Sequence, residues 1–467
     1  MASVKMNIFI LTIFLSIKII FSQNETILFV FQMNRNGARA PDFGVNNGSD
    51  LYLEKWNSNG ELSNVGKRQQ YLLGVKSRKK YIENYKLLSE YYNPQEIFIK
   101  STDYNRTIES AYSFIQGLYP NGKGQIINEN IASIENITYP PNKDYTQRFE
   151  TILSDYSINN SISALPYNMT IVPIHSFYTE DQFQLYDINN CPGIKNISEK
   201  QKNRKEIKNF AKKLMEENKE LFKDLEKKFK NKSQINDTFL EDYWTLYRYM
   251  DNLACDEKDQ RDFSKLINEY SHYSFNLDNL KKNASEFLKD DYKANKNSQN
   301  ISIIDASNTL HSILNWTDNA IKKYENNDTQ QYIKYVIYST HGSSIGTLDF
   351  FMNYYFNITI DDIDFAESRY FELYIDNDNE KKQYKIRYLK GDNTVKMDLE
   401  YKSFIGIVKK KIWSEQKITE FCYPIKKDNK NDNKNKDINI FGASIMIILS
   451  VLDGVLIVLL ILYCLKK

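Results

Sequence analysis

Thr26-Ile-Leu-Phe-Val-Phe-Gln-Met33 is a nearly continuous run of β-branched and aromatic residues, and Asn34-Arg35-Asn36-Gly37-Ala38-Arg39-Ala40-Pro41 follows it directly. Such a run predicts a strand buried on both faces, since neither face has to meet water. The pattern recurs. Glu96-Ile-Phe-Ile-Lys100 predicts a second, short strand leading into Ser101-Thr102-Asp103-Tyr104-Asn105-Arg106-Thr107. Tyr332-Ile-Lys-Tyr-Val-Ile-Tyr338 predicts another, leading into Ser339-Thr340-His341-Gly342-Ser343-Ser344, and Ile171-Val-Pro-Ile174 is a further strand-like piece. Between them, Gly66 to Leu88, Thr107 to Leu118 and Ser343 to Tyr355 carry apolar residues at helical spacing. Strands alternating with helices imply an α/β fold, an open and mostly parallel sheet flanked by helices.

Two segments depart from that alternation. From Ser198 to about residue 290, Lys and Glu dominate, Gly vanishes, and Phe210, Leu214, Leu221, Leu225 and Phe229 recur at helical spacing. This predicts an α-helical cap inserted into the sheet domain; clean heptads do not persist, which excludes a coiled coil. Phe371 to Ile375, Gln383 to Leu389 and Val395 to Leu399 alternate and predict a terminal antiparallel ribbon.

Both ends read as membrane signals. Residues 1–22 resemble a secretory signal, with Lys5 ahead of the apolar run Met6 to Leu15, although Lys18 interrupts it and an uncleaved anchor is the alternative. Residues 440–462 are long enough to cross ~30 Å of hydrocarbon. Lys466 and Lys467 follow as a cationic stop in a tail of residues 463–467. Asp453 near mid-span costs roughly 2.5–3.5 kcal/mol on insertion, and reads either as a contact with another membrane helix or as a tolerated carboxyl. A removed lipid-anchor signal is a further alternative, against which the terminal Lys pair argues. Residues 426–439, all but devoid of apolar side chains, read as a charged stalk. The expectation is a single-pass type I protein whose body, residues 23–425, is lumenal or extracellular, in a lysosome, an endosome or at the cell surface. Sequons such as those at Asn24, Asn136, Asn168, Asn196, Asn315 and Asn357 agree with a glycoprotein.

The chain has 467 residues, 41% hydrophobic and 26% charged, with 62 Lys and Arg against 60 Asp and Glu. A net charge of +2 argues against a nucleic-acid partner with a large electrostatic footprint. Only 9 Pro and 16 Gly exclude a collagen-like or low-complexity chain. Four Cys without a Cys-x-x-Cys pair give no disulfide-dense scaffold and no structural zinc site, so no metal is expected.

The chemistry follows three strand ends, where open α/β sheets bind ligands. Arg35 and Arg39, four residues apart around Gly37, suit an oxyanion. Arg106 stands at a predicted helix start, where exposed N–H groups also favour an anion. His341 follows the third strand. Each Arg taken singly reads as a solvated surface group; three such segments, each behind a buried strand, do not.

At these residues the sequence resembles the histidine acid phosphatases, the branch with the prostatic and lysosomal acid phosphatases. Arg35-Asn36-Gly37-Ala38-Arg39-Ala40-Pro41 is similar to the family's Arg-His-Gly-x-Arg-x-Pro. Ile99 to Thr107 resembles its Ile-Arg-Ser-Thr-Asp-x-Asp-Arg-Thr, and Gly117-Leu-Tyr-Pro120 the continuation. Leu62 to Gly74 with Arg78 and Tyr81, Val172 to His175, Glu180-Asp-Gln182, Asn190-Cys191-Pro192, Tyr338 to His341 and Phe371 to Tyr374 also fall in family order, so the likeness spans residues 26 to 422.

The resemblance implies a phosphate clamp of Arg35, Arg39, Arg106 and His341, and a nucleophilic His at position 36 that forms a phosphohistidine. Asn36 stands there, and its delocalised amide nitrogen has no lone pair to offer. The proton donor that follows the second His is replaced by Gly342. Hydrolysis by the family route is therefore expected to be abolished, with Asp103 and Asp349 substitute acids only by closeness in sequence. Asn36 offers a hydrogen bond where the imidazole would stand, and His341 is a candidate cation. Lys100 replaces an Arg outside the clamp, and the sequon at Asn105 is expected to be unoccupied. The resemblance also pairs Cys191 with Cys422, leaves Cys255 without a partner, and implies no cofactor. The expected protein is a membrane-anchored member of the family that binds phosphate or a phosphomonoester without turnover, a homodimer being left open. The alternatives are an acid phosphatase with residual phosphomonoester hydrolysis, and a surface or lysosomal interaction protein whose cleft is irrelevant.

Overall fold

The computed structural model describes residues 25–41, 60–126, 164–176, 191–217, 219, 255, 286, 290, 295–328, 332–361, 363–377 and 383–423. In chain order the strands are β1 (Glu25–Arg35), β2 (Ile97–Ser101), β3 (His175–Ser176), β4 (Tyr335–Thr340), β5 (Ser368–Asp376), β6 (Gln383–Lys390) and β7 (Val395–Glu400). The helices are α1 (Asn64–Ser77), continued by a π-helical turn at Arg78–Asn84, α2 (Asn105–Leu118), α3 (Pro192–Lys202), α4 (Lys205–Glu217), α5 (Lys296–Glu325), α6 (Gly342–Phe356), α7 (Tyr401–Lys411) and α8 (Glu415–Cys422). Chain contacts divide the protein into Met1–Ile418, which holds the sheet, and Thr419–Lys467, of which residues 419–423 are described and close α8.

β1 is the centre of a seven-stranded sheet of order β3-β2-β4-β1-β5-β6-β7. Phe29, Val30 and Phe31 are fully buried because helices cover both faces. On one face β1 packs with α5, α6 and α7 through Phe29, Phe31, Leu310, Phe351 and Phe404. On the other, Val30 joins Tyr81, Ile99, Phe114 and Leu118. Burial of each such side chain contributes roughly 1.5–3 kcal/mol, so the core is concentrated around this strand.

The expected mostly parallel sheet is instead half parallel. β3-β2, β2-β4 and β4-β1 pair parallel, whereas β1-β5, β5-β6 and β6-β7 pair antiparallel. The predicted terminal ribbon exists, but it joins the main sheet through β5 rather than standing apart. Alternation within β5, β6 and β7 announces strands and says nothing of what their first member pairs with. The strand expected at 171–174 falls instead at His175–Ser176; Pro173 has no N–H to give a ladder. α5, the longest described helix, had no sequence prediction, because its Asn, Ser and Thr content masks the apolar stripe formed by Ile303, Leu310 and Leu314. α3 and α4 agree with a helical start to the cap; most of the remainder lies outside the described residues. So do residues 1–22, the stalk and the 440–462 stretch. Among the described residues no helix is long and apolar enough to cross a membrane.

Candidate anion-binding site

Register builds the site. Arg35 pairs with Thr340 across β1 and β4, and Ser101 pairs with Ser339 across β2 and β4, so three carboxyl ends arrive together. The chain stays stitched beyond them: Asn36 N–H donates to Thr340 O at 2.9 Å, and Thr102 N–H to Ser339 O at 3.1 Å. Gly37 permits the next turn to press on α1, since a Cβ there would lie 2.4 Å from Gly66 O. Gly66 is equally obliged, because its own Cβ would lie 2.1 Å from Ala38 O. Ser63 caps that helix, accepting from Gly66 N–H at 3.1 Å.

The Arg35 guanidinium donates to Ile363 O at 2.6 Å and lies 4.0 Å above the Phe365 ring. Arg39, almost wholly buried, donates to Ala40 O at 2.9 Å, approaches the Cys255 thiol at 3.7 Å, and stands 5.7 Å from the same ring. Arg106, in the first turn of α2, lies 4.7 Å over Tyr104. His341 stands just before α6 and meets Tyr104 edge-on at 4.9 Å. Its Nε2 is 3.2 Å from Thr102 Oγ1. Thr102 donates to Thr107 Oγ1 at 2.8 Å, and Thr107 donates to the carbonyls of Thr102 and Tyr104. With those protons committed, Thr102 accepts from His341, which assigns the ring hydrogen to Nε2.

Electrostatics records the convergence. Burial, and then the charges of Arg106, Arg39 and Arg35, push the His341 ring down to about 3. The three guanidiniums are thus near enough to His341 for their charge to act on it. Burial and these neighbouring charges favour the neutral ring over the cation.

Other expected residues fall as follows. Asn36 is buried, and its amide N–H donates to Gly37 O at 2.9 Å. Gly342 packs on Arg35, where a Cβ would lie 3.1 Å from Nε and 3.2 Å from Cδ. Asp349 does not reach the pocket; it accepts from Arg369 at 2.7 Å and from Tyr388, behind the sheet. Of the other His, His175 stacks on Phe98, and His311 contacts Trp413 O at 2.9 Å. His272 lies outside the described residues. Lys100 is buried, 5.6 Å from the Tyr338 ring, and desolvation lowers its ammonium to about 8. Cys191 and Cys422 are each disulfide-bonded, and Cys255 keeps a buried thiol. Phe365 and Tyr104 had no sequence signal as site residues, since an aromatic flanking a charged motif looks like any core side chain.

Comparison with known proteins decides the family. Residues 30–390 match the histidine phosphatase superfamily (branch 2). The chain belongs to that superfamily. Within it, a lysosomal acid phosphatase of Xenopus laevis is 26% identical over 357 residues, 76% of this chain and 67% of that protein. A lysophosphatidic acid phosphatase type 6 of Mus musculus is 40% identical over 81 residues, 17% of this chain and 19% of that one. Among solved structures, the Citrobacter braakii phytase aligns at 12% identity with a TM-score of 0.47, covering 83% of this chain and 98% of its own. The superfamily match runs from β1 to the end of β6, so every strand end that builds the pocket lies inside it.

Proposed function

We propose that this histidine phosphatase superfamily member binds phosphate or a phosphomonoester in the Arg35, Arg39, Arg106 and His341 pocket and does not turn it over by a phosphohistidine route. The identity of residue 36 carries the reading. An amide occupies the end of β1, where the motif match calls for an imidazole nucleophile, and it gives its hydrogen to the neighbouring carbonyl of Gly37. Loss of a nucleophile in covalent enzymes costs on the order of 10⁶-fold. Gly342 removes the expected proton donor as well, forfeiting roughly 10²–10⁴-fold. The Arg35 side chain lies against that glycine, so an added carboxylate would displace it by a few tenths of an ångström. Asp349 is committed to Arg369 and offers no substitute acid.

Three guanidiniums around one pocket nevertheless favour a dianion strongly. The signal-like start, the apolar 440–462 stretch, the sequons and the likeness to a lysosomal acid phosphatase support a type I, membrane-anchored protein with this pocket on the lumenal or extracellular side. The test is turnover of an aryl phosphate at mildly acidic pH, where a good leaving group needs little proton donation. A rate equal to that of an Arg35→Ala, Arg39→Ala control is expected; a higher rate restores the acid-phosphatase alternative. Orthophosphate or vanadate raising the Tm is expected of a binding pocket, and no rise would favour an interaction protein with an unused cleft.

A further inference from the structure

Two aromatic rings sit beneath the four side chains of the pocket. Phe365 lies under Arg35 at 4.0 Å and beside Arg39 at 5.7 Å, while Tyr104 lies under Arg106 at 4.7 Å and against the His341 ring at 4.9 Å. The segment carrying Phe365 is fastened to the end of β1 at three points. Ala366 N–H donates to Asn36 O at 3.0 Å, Arg35 N–H donates to Glu367 O at 2.9 Å, and the Arg35 guanidinium donates to Ile363 O at 2.6 Å. Ala366 holds a φ of 59° to turn the chain there, a left-handed conformation that a non-glycine residue adopts at a cost.

We infer that Phe365 and Tyr104 are positioning residues of the anion pocket, each aromatic face fixing the plane of a guanidinium so that its N–H edge points at an oxyanion. The inference rests on the anion-binding reading and deepens it. A ring face attracts a cation without cancelling its charge, and it occupies the face of the guanidinium instead of the N–H edge that recognises phosphate. The simpler role for Phe365 is core filling, since it also packs with Ala38, Ala40 and Cys255. Leucine separates the two roles: it fills much of the same volume and has no quadrupole.

The experiment uses the full-length protein with Phe365→Leu, Phe365→Tyr and Tyr104→Leu, reading orthophosphate affinity by calorimetry and the His341 ring titration by NMR. Phe365→Leu is expected to weaken orthophosphate about five- to tenfold in protein that remains folded, with Phe365→Tyr within about twofold of the parent. In both leucine variants the loosened guanidiniums should let the His341 titration move upward. Parent-like affinity and an unmoved His341 titration in both would overturn the inference. Should the parent fail to bind orthophosphate, the binding reading falls, and the His341 titration still decides about the rings. Should Phe365→Leu fail to fold, Tyr104→Leu, on a half-exposed side chain, gives the same two-way answer.

Discussion

Two groups of cations among the described residues are held differently. On β5 and β6, Arg369 binds Asp349 at 2.7 Å, while Arg387 and Lys80 both bind Glu372 at 2.6 Å. Burial alone would raise the Glu372 carboxyl, but Lys80 and Arg387 outweigh it and hold the group below its ordinary value. At the carboxyl ends of β1, β2 and β4, carbonyls, aromatic faces and a thiol contact Arg35, Arg39 and Arg106, and their joint field drives a neighbouring imidazole to about 3. The first arrangement matches charges and stabilises the sheet. The second sets like charges close enough together for their field to reach one imidazole.

The largest expected consequence of that difference is in stability. Arg369→Met leaves Asp349 buried and unpaired and should cost about 3–5 kcal/mol by denaturant unfolding. Ligand response should separate the two sites. Arg39→Met and Arg106→Met are expected to abolish the rise in Tm given by sulfate, since each removes a charge-assisted donor.

Next in size is a pH effect at Asp305, which faces Thr347 between α5 and α6. Burial lifts this carboxyl to about 7. The folded chain thus keeps a proton that the unfolded chain has lost, and stability falls as pH rises from about 4 through 7. Asp305→Asn should gain about 2 kcal/mol on the parent between pH 5 and pH 8, read by denaturant melts at both pH values. An advantage that does not grow with pH would place the charge elsewhere. His341 supplies the smallest effect, of opposite use. Its Nε2–H is given to Thr102, so contact with an anion through the other nitrogen requires proton uptake. Sulfate, whose own charge is constant in this range, should bind about two- to fivefold tighter at pH 5 than at pH 7, and His341→Gln should flatten that slope.

Much of this was legible in the chain. Continuous apolar runs located β1, β2 and β4 within a few residues, and Arg35, Arg39, Arg106 and His341 follow the ends of those three strands. What escaped depends on partners distant in sequence. β5 pairs beside β1 across more than 300 residues, and no local pattern announces it. Asp349 looked like a substitute acid by position, yet α6 turns it toward Arg369. The aromatic faces under the guanidiniums were hidden for the same reason, because Phe365 lies far from Arg35 in sequence and beside it only in the fold.

Trapping decides whether residue 36 has ended the chemistry. Purified full-length protein, mixed with a phosphate-labelled aryl ester at mildly acidic pH and quenched within a turnover, should carry no label. An Asn36→His, Gly342→Asp variant is the positive comparison. Label on the unaltered chain, lost in Arg35→Ala, would mean that another side chain accepts the phosphoryl group and that the pocket is an active enzyme.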